Sequence, residues 1–60
     1  MEHGQKVKCN APSIDRRIGM HKVGTIMGFS RLSAYHGREA LVKLADGESD
    51  WFWCSDLTAA

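Results

Sequence analysis

No long hydrophobic run occurs in this chain, and its N-terminal residues carry no apolar leader. The longest stretch of consecutive apolar residues is Trp51–Cys54, far shorter than the ~20 residues that a membrane-spanning helix needs. Met1–Gln5 also lack the apolar core of a signal peptide. Low-complexity runs are missing, and the composition is too apolar for intrinsic disorder. We therefore expect a folded, cytoplasmic protein without a membrane segment.

Cysteine is scarce, with Cys9 and Cys54 near opposite ends of the 60-residue chain. In a small secreted protein such a pair would indicate a disulfide, whereas in a cytoplasmic protein two buried thiols are the more ordinary arrangement. These cysteines could join His21 and His36 as four metal ligands, but no C-x-x-C or H-x₃₋₅-H spacing is present. The sequence therefore predicts no metal site and no cofactor, and it leaves the pairing of the cysteines open.

Signatures of catalysis are absent as well. The chain has no Gly-rich phosphate loop, no paired-carboxylate site and no nucleophile elbow. A domain this short has little room for a pocket of the usual ~300–1,000 Å³. Cys54 is expected to face the interior, where a thiol is inert. We predict that the protein is not an enzyme.

Helical periodicity is missing too. No window carries apolar residues at i, i+3, i+4 and i+7 over three turns, and glycine interrupts the chain repeatedly. Alternation of apolar and polar residues, which is typical of half-buried strands, recurs instead. Pro12 cannot continue a central strand, and a long polar loop over 13–21 follows it. The pattern predicts strands over 6–11, 22–30, 39–45 and 50–55, with a short closing element at 56–57.

Turn signals separate these strands. Asp46-Gly47 is a strong hairpin dipeptide, and a second turn is predicted over 35–38. Gly24 and Gly28 would weaken a strand unless they let it bend or let another backbone approach closely. A flat sheet this small would leave open edges and one uncovered face. We therefore predict an all-β fold in which four to five short antiparallel strands curl into a small barrel.

Short motifs in three places resemble the SH3-like barrel superfamily, in its Tudor and KOW-like forms. The motifs are Lys22–Ile26, Val42–Gly47, and Trp51-Phe52 followed by Ser55-Asp56-Leu57. The resemblance covers 6–57, which we take as the domain, with flexible ends at 1–5 and 58–60. It implies a barrel that binds methylated side chains, proline-rich or basic peptides, RNA, DNA or subunits of larger assemblies. The aromatic cage of methyl-lysine readers and the paired tyrosines of proline-rich-peptide binders are not found in this chain.

Strand parity sorts the apolar residues into an interior set. Each buried Val, Leu, Ile or Phe contributes ~1.5–3 kcal/mol of transfer free energy, so a chain this short needs nearly all of them. The side chains expected to face inward are Val7, Cys9, Ile26, Val42, Leu44, Phe52, Cys54 and Leu57.

The same parity places Trp51 and Trp53 on the outside, opposite Phe52. Exposed indoles usually mark an interface, although one Trp could instead fold over the barrel as accessory core. Nearby carboxylates and the indole faces would attract a Lys- or Arg-bearing protein. The basic half of a second copy would fit as well and would make a homodimer. The predicted partner-binding residues are Trp51, Trp53, Asp50, Glu48, Arg16 and Arg17.

Nucleic-acid binding is the alternative function. Basic residues predominate from residue 1 to 38 and acidic residues from 39 to 60, so a basic face with aromatic stacking groups is conceivable. The isoelectric point near 7.8 is low for such a domain, and these charges could simply be solvated. The residues involved would be Lys6, Lys8, Arg16, Arg17, Lys22, Arg31, Arg38 and Tyr35. The function we predict is a small non-enzymatic adaptor or regulatory module that contacts a protein partner or itself.

Overall fold

The computed structural model describes residues 1–33 and 37–60, except for the side chains of residues 31–33. The described chain forms one five-stranded antiparallel sheet in the order β4-β3-β2-β1-β5. The strands are β1 (Lys6–Cys9), β2 (Val23–Ser33), β3 (Gly37–Leu44), β4 (Ser49–Trp53) and β5 (Leu57–Ala59), with a 3₁₀ turn over Cys54–Asp56 between the last two. The predicted all-β class with five short strands is confirmed.

Along the described residues, no helical segment has the length and apolar character needed to cross a bilayer.

The long strand β2 is the centre of the sheet and carries its irregular pairing. Its first residues pair with β1, and it pairs with β3 along most of its length, with register shifts between Ile26 and Gly28 and between Phe29 and Leu32. A Cβ at Gly24 would lie 2.5 Å from Val42 Cγ1 and 2.7 Å from a β3 carbonyl oxygen. A Cβ at Gly28 would meet open space. The first glycine therefore permits the close approach of β3, and the second lies where the register shifts.

The β3–β4 hairpin follows the prediction from Asp46-Gly47. The Leu44 amide donates to the Glu48 carbonyl at 2.7 Å, and the Gly47 amide donates to the Leu44 carbonyl at 3.0 Å. Gly47 has a φ of +91°, which suits glycine because it lacks a Cβ. Of the other predicted turn, over 35–38, the first two residues lie outside the described residues. Gly37 and Arg38 belong to β3 rather than to a turn.

Several predicted strand bounds differ from the structure. β2 extends to Ser33 rather than to residue 30, and β3 spans Gly37–Leu44 rather than 39–45. β1 ends at Cys9 rather than at residue 11, and β4 ends at Trp53 rather than at residue 55. The chain turns tightly after Trp53 so that Leu57 can pair with Cys9 in β5. Thr58 lies within β5, and the Ala60 amide donates to the Lys6 carbonyl at 3.0 Å. The sheet thus continues past residue 57, where the sequence placed the end of the domain.

The core agrees closely with the parity argument. Of the eight side chains expected inside, all but Cys54 are buried, and Ala40 joins them. Cys54 is half-buried and packs against the core from the 3₁₀ turn, so the expectation of a fully interior thiol was wrong at this position. Cys9 and Cys54 are free thiols. Burial raises the pKa of the Cys9 thiol. The core comprises Val7, Cys9, Ile26, Ala40, Val42, Leu44, Phe52 and Leu57.

Candidate protein-interaction face

The outward-facing side of β3 and β4 carries both tryptophans. The register pairs Trp51 with Leu41 and Trp53 with Glu39, while Phe52 pairs with the buried Ala40. Phe52 is fully buried and both indoles are half-buried. The alternation inferred from the sequence therefore holds in β4, and the indoles lie on the side of the sheet away from the core. We call this side the outer face.

A basic row crosses the outer face next to the tryptophans. The register aligns Lys6 of β1 with Thr25 of β2, Thr25 with Lys43 of β3, and Lys43 with Ser49 of β4. Both lysines are exposed and Thr25 is half-buried. The indoles therefore have lysines on the neighbouring row, while Trp53 has the carboxylate residue Glu39 as its direct partner on β3.

Apolar side chains extend the outer face across β2. Val23 is 45% exposed and Met27 is 43% exposed. Gly28 lies opposite Leu41 in the register, so β2 offers Leu41 no side chain at that position. The outer face therefore combines apolar groups from three strands with the two lysines of its basic row.

The loop over 10–22 covers the outer edge of β4. The Ile14 amide donates to the Trp51 carbonyl at 2.8 Å, and Arg16 Nη2 donates to the Ser49 carbonyl at 2.6 Å. The Trp51 amide donates to Oδ1 of its neighbour Asp50 at 2.8 Å. Since an open strand edge can pair with another chain, these bonds block that route to association.

Asp50 anchors this loop from inside the protein. It is 5% exposed, and its Oδ2 accepts hydrogen bonds from Ser13 Oγ at 2.7 Å and from Arg16 N and Nε, each at 3.3 Å. Burial alone would raise the pKa of Asp50, but the hydrogen bonds from Ser13, Trp51 and Arg16 outweigh it and lower the pKa below its ordinary 3.8. Ser13 is itself buried, and its Oγ accepts from the Ile18 amide at 3.0 Å.

The placement of Asp50 corrects one sequence-based expectation. We had placed its carboxylate on the partner-binding surface, but position 50 has the same parity as Phe52 and therefore faces inward. Strict use of the alternation would have predicted the inward side chain at position 50. Glu48 is exposed, yet its Oε2 lies 2.8 Å from Arg16 Nη1, so its charge is already paired within the chain. Arg17 is exposed with a φ of +54°.

The residues proposed for nucleic-acid binding are dispersed. Lys6 and Lys8 are exposed on β1, Lys22 pairs with Asp46 at 3.6 Å, and the Arg38 guanidinium lies 5.4 Å from the centre of the Phe29 ring. Arg16 belongs to the loop anchor described above. The side chains of Arg31 and Tyr35 lie outside the described part of the structure.

Cys54 borders a pocket of about 400 Å³ that is also lined by Met1, Phe29, Arg38 and Ser55. Burial raises the pKa of the Cys54 thiol, partly offset by Arg38 and by the positive charge of the N-terminus. Within residues 1–33 and 37–60, no group of three or more His, Cys, Asp or Glu side chains is arranged to hold a metal ion.

No protein-family model and no curated protein matches the chain. Among solved structures, it is similar to the solution structure of the cyanobacterial cytochrome b6f complex subunit PetP, with a TM-score of 0.74. The two sequences are 27% identical, and the match covers 100% of this chain and 80% of the PetP chain. This chain and PetP are therefore similar in fold along the whole of the present sequence.

Proposed function

We propose that this protein is a small, non-catalytic subunit that binds a larger protein assembly through its outer face. The observation that carries the proposal is the set of apolar side chains on that face, centred on Trp51 and Leu41, above a core that is already complete. Contiguous exposed apolar groups on a small protein usually mark an interaction site, and Trp is strongly enriched among the residues that dominate binding energy.

The similarity to PetP supports this class of function. PetP is a subunit of the cytochrome b6f complex, and it matches the whole of this chain. We therefore propose the cytochrome b6f complex as the first assembly to test, with an adaptor or regulatory role for this chain and a location in the cytoplasm.

We further propose that the architecture is an SH3-like barrel. The long strand β2, which pairs with β1 at one end and with β3 along most of its length with two register shifts, supports this assignment. Self-association through the outer face is the second form that the proposed interaction could take, since an isologous dimer would bury the same apolar groups of both copies.

Two methionines provide a matched test. Met27 lies on β2 beside the outer face and is 43% exposed, whereas Met20 lies in the loop before β2 and is 48% exposed. Met27→Glu and Met20→Glu therefore introduce the same charge at similar exposure in different places. Each tagged variant is expressed in the native cell, and the purified material is analysed by size-exclusion chromatography and probed for cytochrome b6f subunits.

The wild-type chain and Met20→Glu are expected to elute in a large assembly. Met27→Glu is expected to elute as the free chain, because a carboxylate cannot be buried in an apolar contact without a large penalty. Circular dichroism checks that both variants are folded. Elution of the wild-type chain only as a small free protein would contradict the proposed function.

A further inference from the structure

A shallow groove of about 290 Å³ lies on the outer face between β1, β2 and β3. Its lining includes Lys6 on one side and Lys43 on the other, with Thr25 between them and Val23 and Ala45 two residues farther along. Val23 is 45% exposed, so the groove has an apolar floor that nothing in the described chain covers.

Neither lysine of the groove has a carboxylate partner among the described residues. Because Lys6 and Lys43 each pair with Thr25 in the sheet, their backbones are two strand spacings apart, or roughly 10 Å. Neither forms an ion pair with any residue in the described ranges. Arg16 and Lys22, in contrast, are paired with carboxylates of this chain.

We propose that this groove binds an acidic, extended segment of the partner protein. Carboxylates of that segment contact Lys6 and Lys43, and an apolar side chain two residues along the segment packs on Val23. The proposal rests on the proposed function, since it assigns the partner chemistry for the same face. It also reverses the expectation of a basic partner, because Asp50 and Glu48 are occupied by Arg16.

The charge distribution favours an acidic peptide over a polyanion. Useful affinity for nucleic acid comes from several phosphate contacts, and a polybasic membrane site typically gathers about 4–8 basic residues. The groove lining offers two lysines, and Lys8 on the same face, opposite Val23, raises the number to three. Thr25 and Val23 lie two residues apart on β2, and side chains two residues apart on an extended peptide are likewise about 6.6 Å apart, so a carboxylate over Thr25 and an apolar side chain over Val23 fit the groove together.

The test uses the whole chain labelled with ¹⁵N and a synthetic peptide in which Glu and Leu stand two residues apart. A second peptide with Gln in place of Glu isolates the contribution of charge. Lys6→Glu and Lys43→Glu are compared with Met20→Glu, which adds a carboxylate at an exposed residue outside the groove. Vesicles of phosphatidylglycerol and a single-stranded oligonucleotide serve as the competing classes of ligand.

The acidic peptide is expected to shift the amide resonances of Val23, Thr25 and Lys43, and to bind more weakly at higher salt. Each groove variant should weaken binding of the peptide about three- to tenfold, and Met20→Glu less than about twofold. Equal binding of the Gln peptide, no shift at the groove, or tighter binding of vesicles or oligonucleotide would overturn the proposal. If Lys6→Glu and Lys43→Glu still join the large assembly while Met27→Glu does not, this inference fails and the proposed function stands.

Discussion

At the scale of single residues, Asp50 has the largest effect on how charge is distributed. Its carboxylate faces the interior and holds the loop through Ser13 and Arg16. A buried carboxylate is tolerated when its oxygens accept several hydrogen bonds, as those of Asp50 do from Ser13, Arg16 and Trp51. The consequence is that an acidic group near the tryptophans is removed from the surface.

Asp50→Asn is expected to destabilise the protein by about 1–3 kcal/mol, because an amide nitrogen would face hydrogen-bond donors and leave buried groups unsatisfied. Urea unfolding followed by Trp fluorescence measures the change. Asp15→Asn, at an exposed loop position, is the control and should shift stability by less than about 0.5 kcal/mol. Equal stability of the two variants would contradict the anchoring role.

The lowered pKa of Asp50 makes this contribution depend on pH. Since the folded-state pKa is depressed, the stabilisation is complete above the unfolded-state value of about 3.9 and is lost as the pH falls through the lower folded-state value. The stability difference between wild type and Asp50→Asn should therefore shrink below about pH 4. Urea midpoints measured from about pH 7 to pH 3 test this, and a constant difference would contradict it.

At the scale of elements, the two glycines of β2 differ in the space around them. Gly24→Ala should cost about 1–3 kcal/mol, since the added methyl would collide with β3. Gly28→Ala places its methyl in open space and should be neutral or stabilising by up to about 1 kcal/mol. Thermal or urea unfolding measures the loss of unfolding free energy in both variants. Similar losses would show that the close approach of β3 at Gly24 does not exclude a methyl group there.

The loop over β4 is the second element with a testable role. Arg16→Ala removes contacts to Asp50, Glu48 and the Ser49 carbonyl. These contacts are partly exposed, so the global stability should fall by less than about 1 kcal/mol. Local opening should become easier, so the Ile14 amide, which donates to β4, should exchange its hydrogen faster.

Arg17→Ala is the matched control for the loop, because Arg17 is exposed next to Arg16. Its hydrogen exchange at Ile14 should equal that of the wild type. Unchanged exchange in Arg16→Ala would indicate that the backbone of the loop holds the edge without this side chain.

At the scale of the whole molecule, size leaves a narrow margin. A chain of 60 residues is expected to have a total stability of roughly 3–9 kcal/mol. Phe52 is fully buried and among the largest core side chains. Phe52→Ala should cost about 3–5 kcal/mol and leave most of the chain unfolded, seen as collapsed dispersion in a ¹⁵N correlation spectrum.

Phe29→Ala offers a comparison on the same fold. Phe29 is half-buried and packs against the edge of the core, so its loss should leave the chain folded. If Phe52→Ala also gave a well-dispersed spectrum, the core would be less dependent on this one ring than its burial indicates.

Much of the architecture could be read from the sequence because its signals are local. Alternation along 39–45 and 50–55 identified the inward side chains, and Asp46-Gly47 identified the hairpin. The end of β4 was missed because the apolar alternation continues to Cys54, while the chain turns there to bring Leu57 beside Cys9.

The candidate interaction face shows what sequence reasoning could and could not supply. The outward position of Trp51 follows from side-chain alternation, which is a property of any extended strand. The sign of the charge beside Trp51 does not follow from this alternation. Asp50 and Arg16 are 34 positions apart, and Lys6 and Lys43 come together only through Thr25 of β2.

Taken alone, the sequence determined an all-β chain, its main inward residues and an outward Trp51, because each depends on neighbours along one strand. The tertiary structure decided which carboxylates are neutralised and which lysines are left exposed on the outer face. That outcome depends on where a long loop crosses β4 and on which strands lie side by side. Electrostatic pairing acts across space, so it is settled only when the sheet has formed and the loop has closed over its edge.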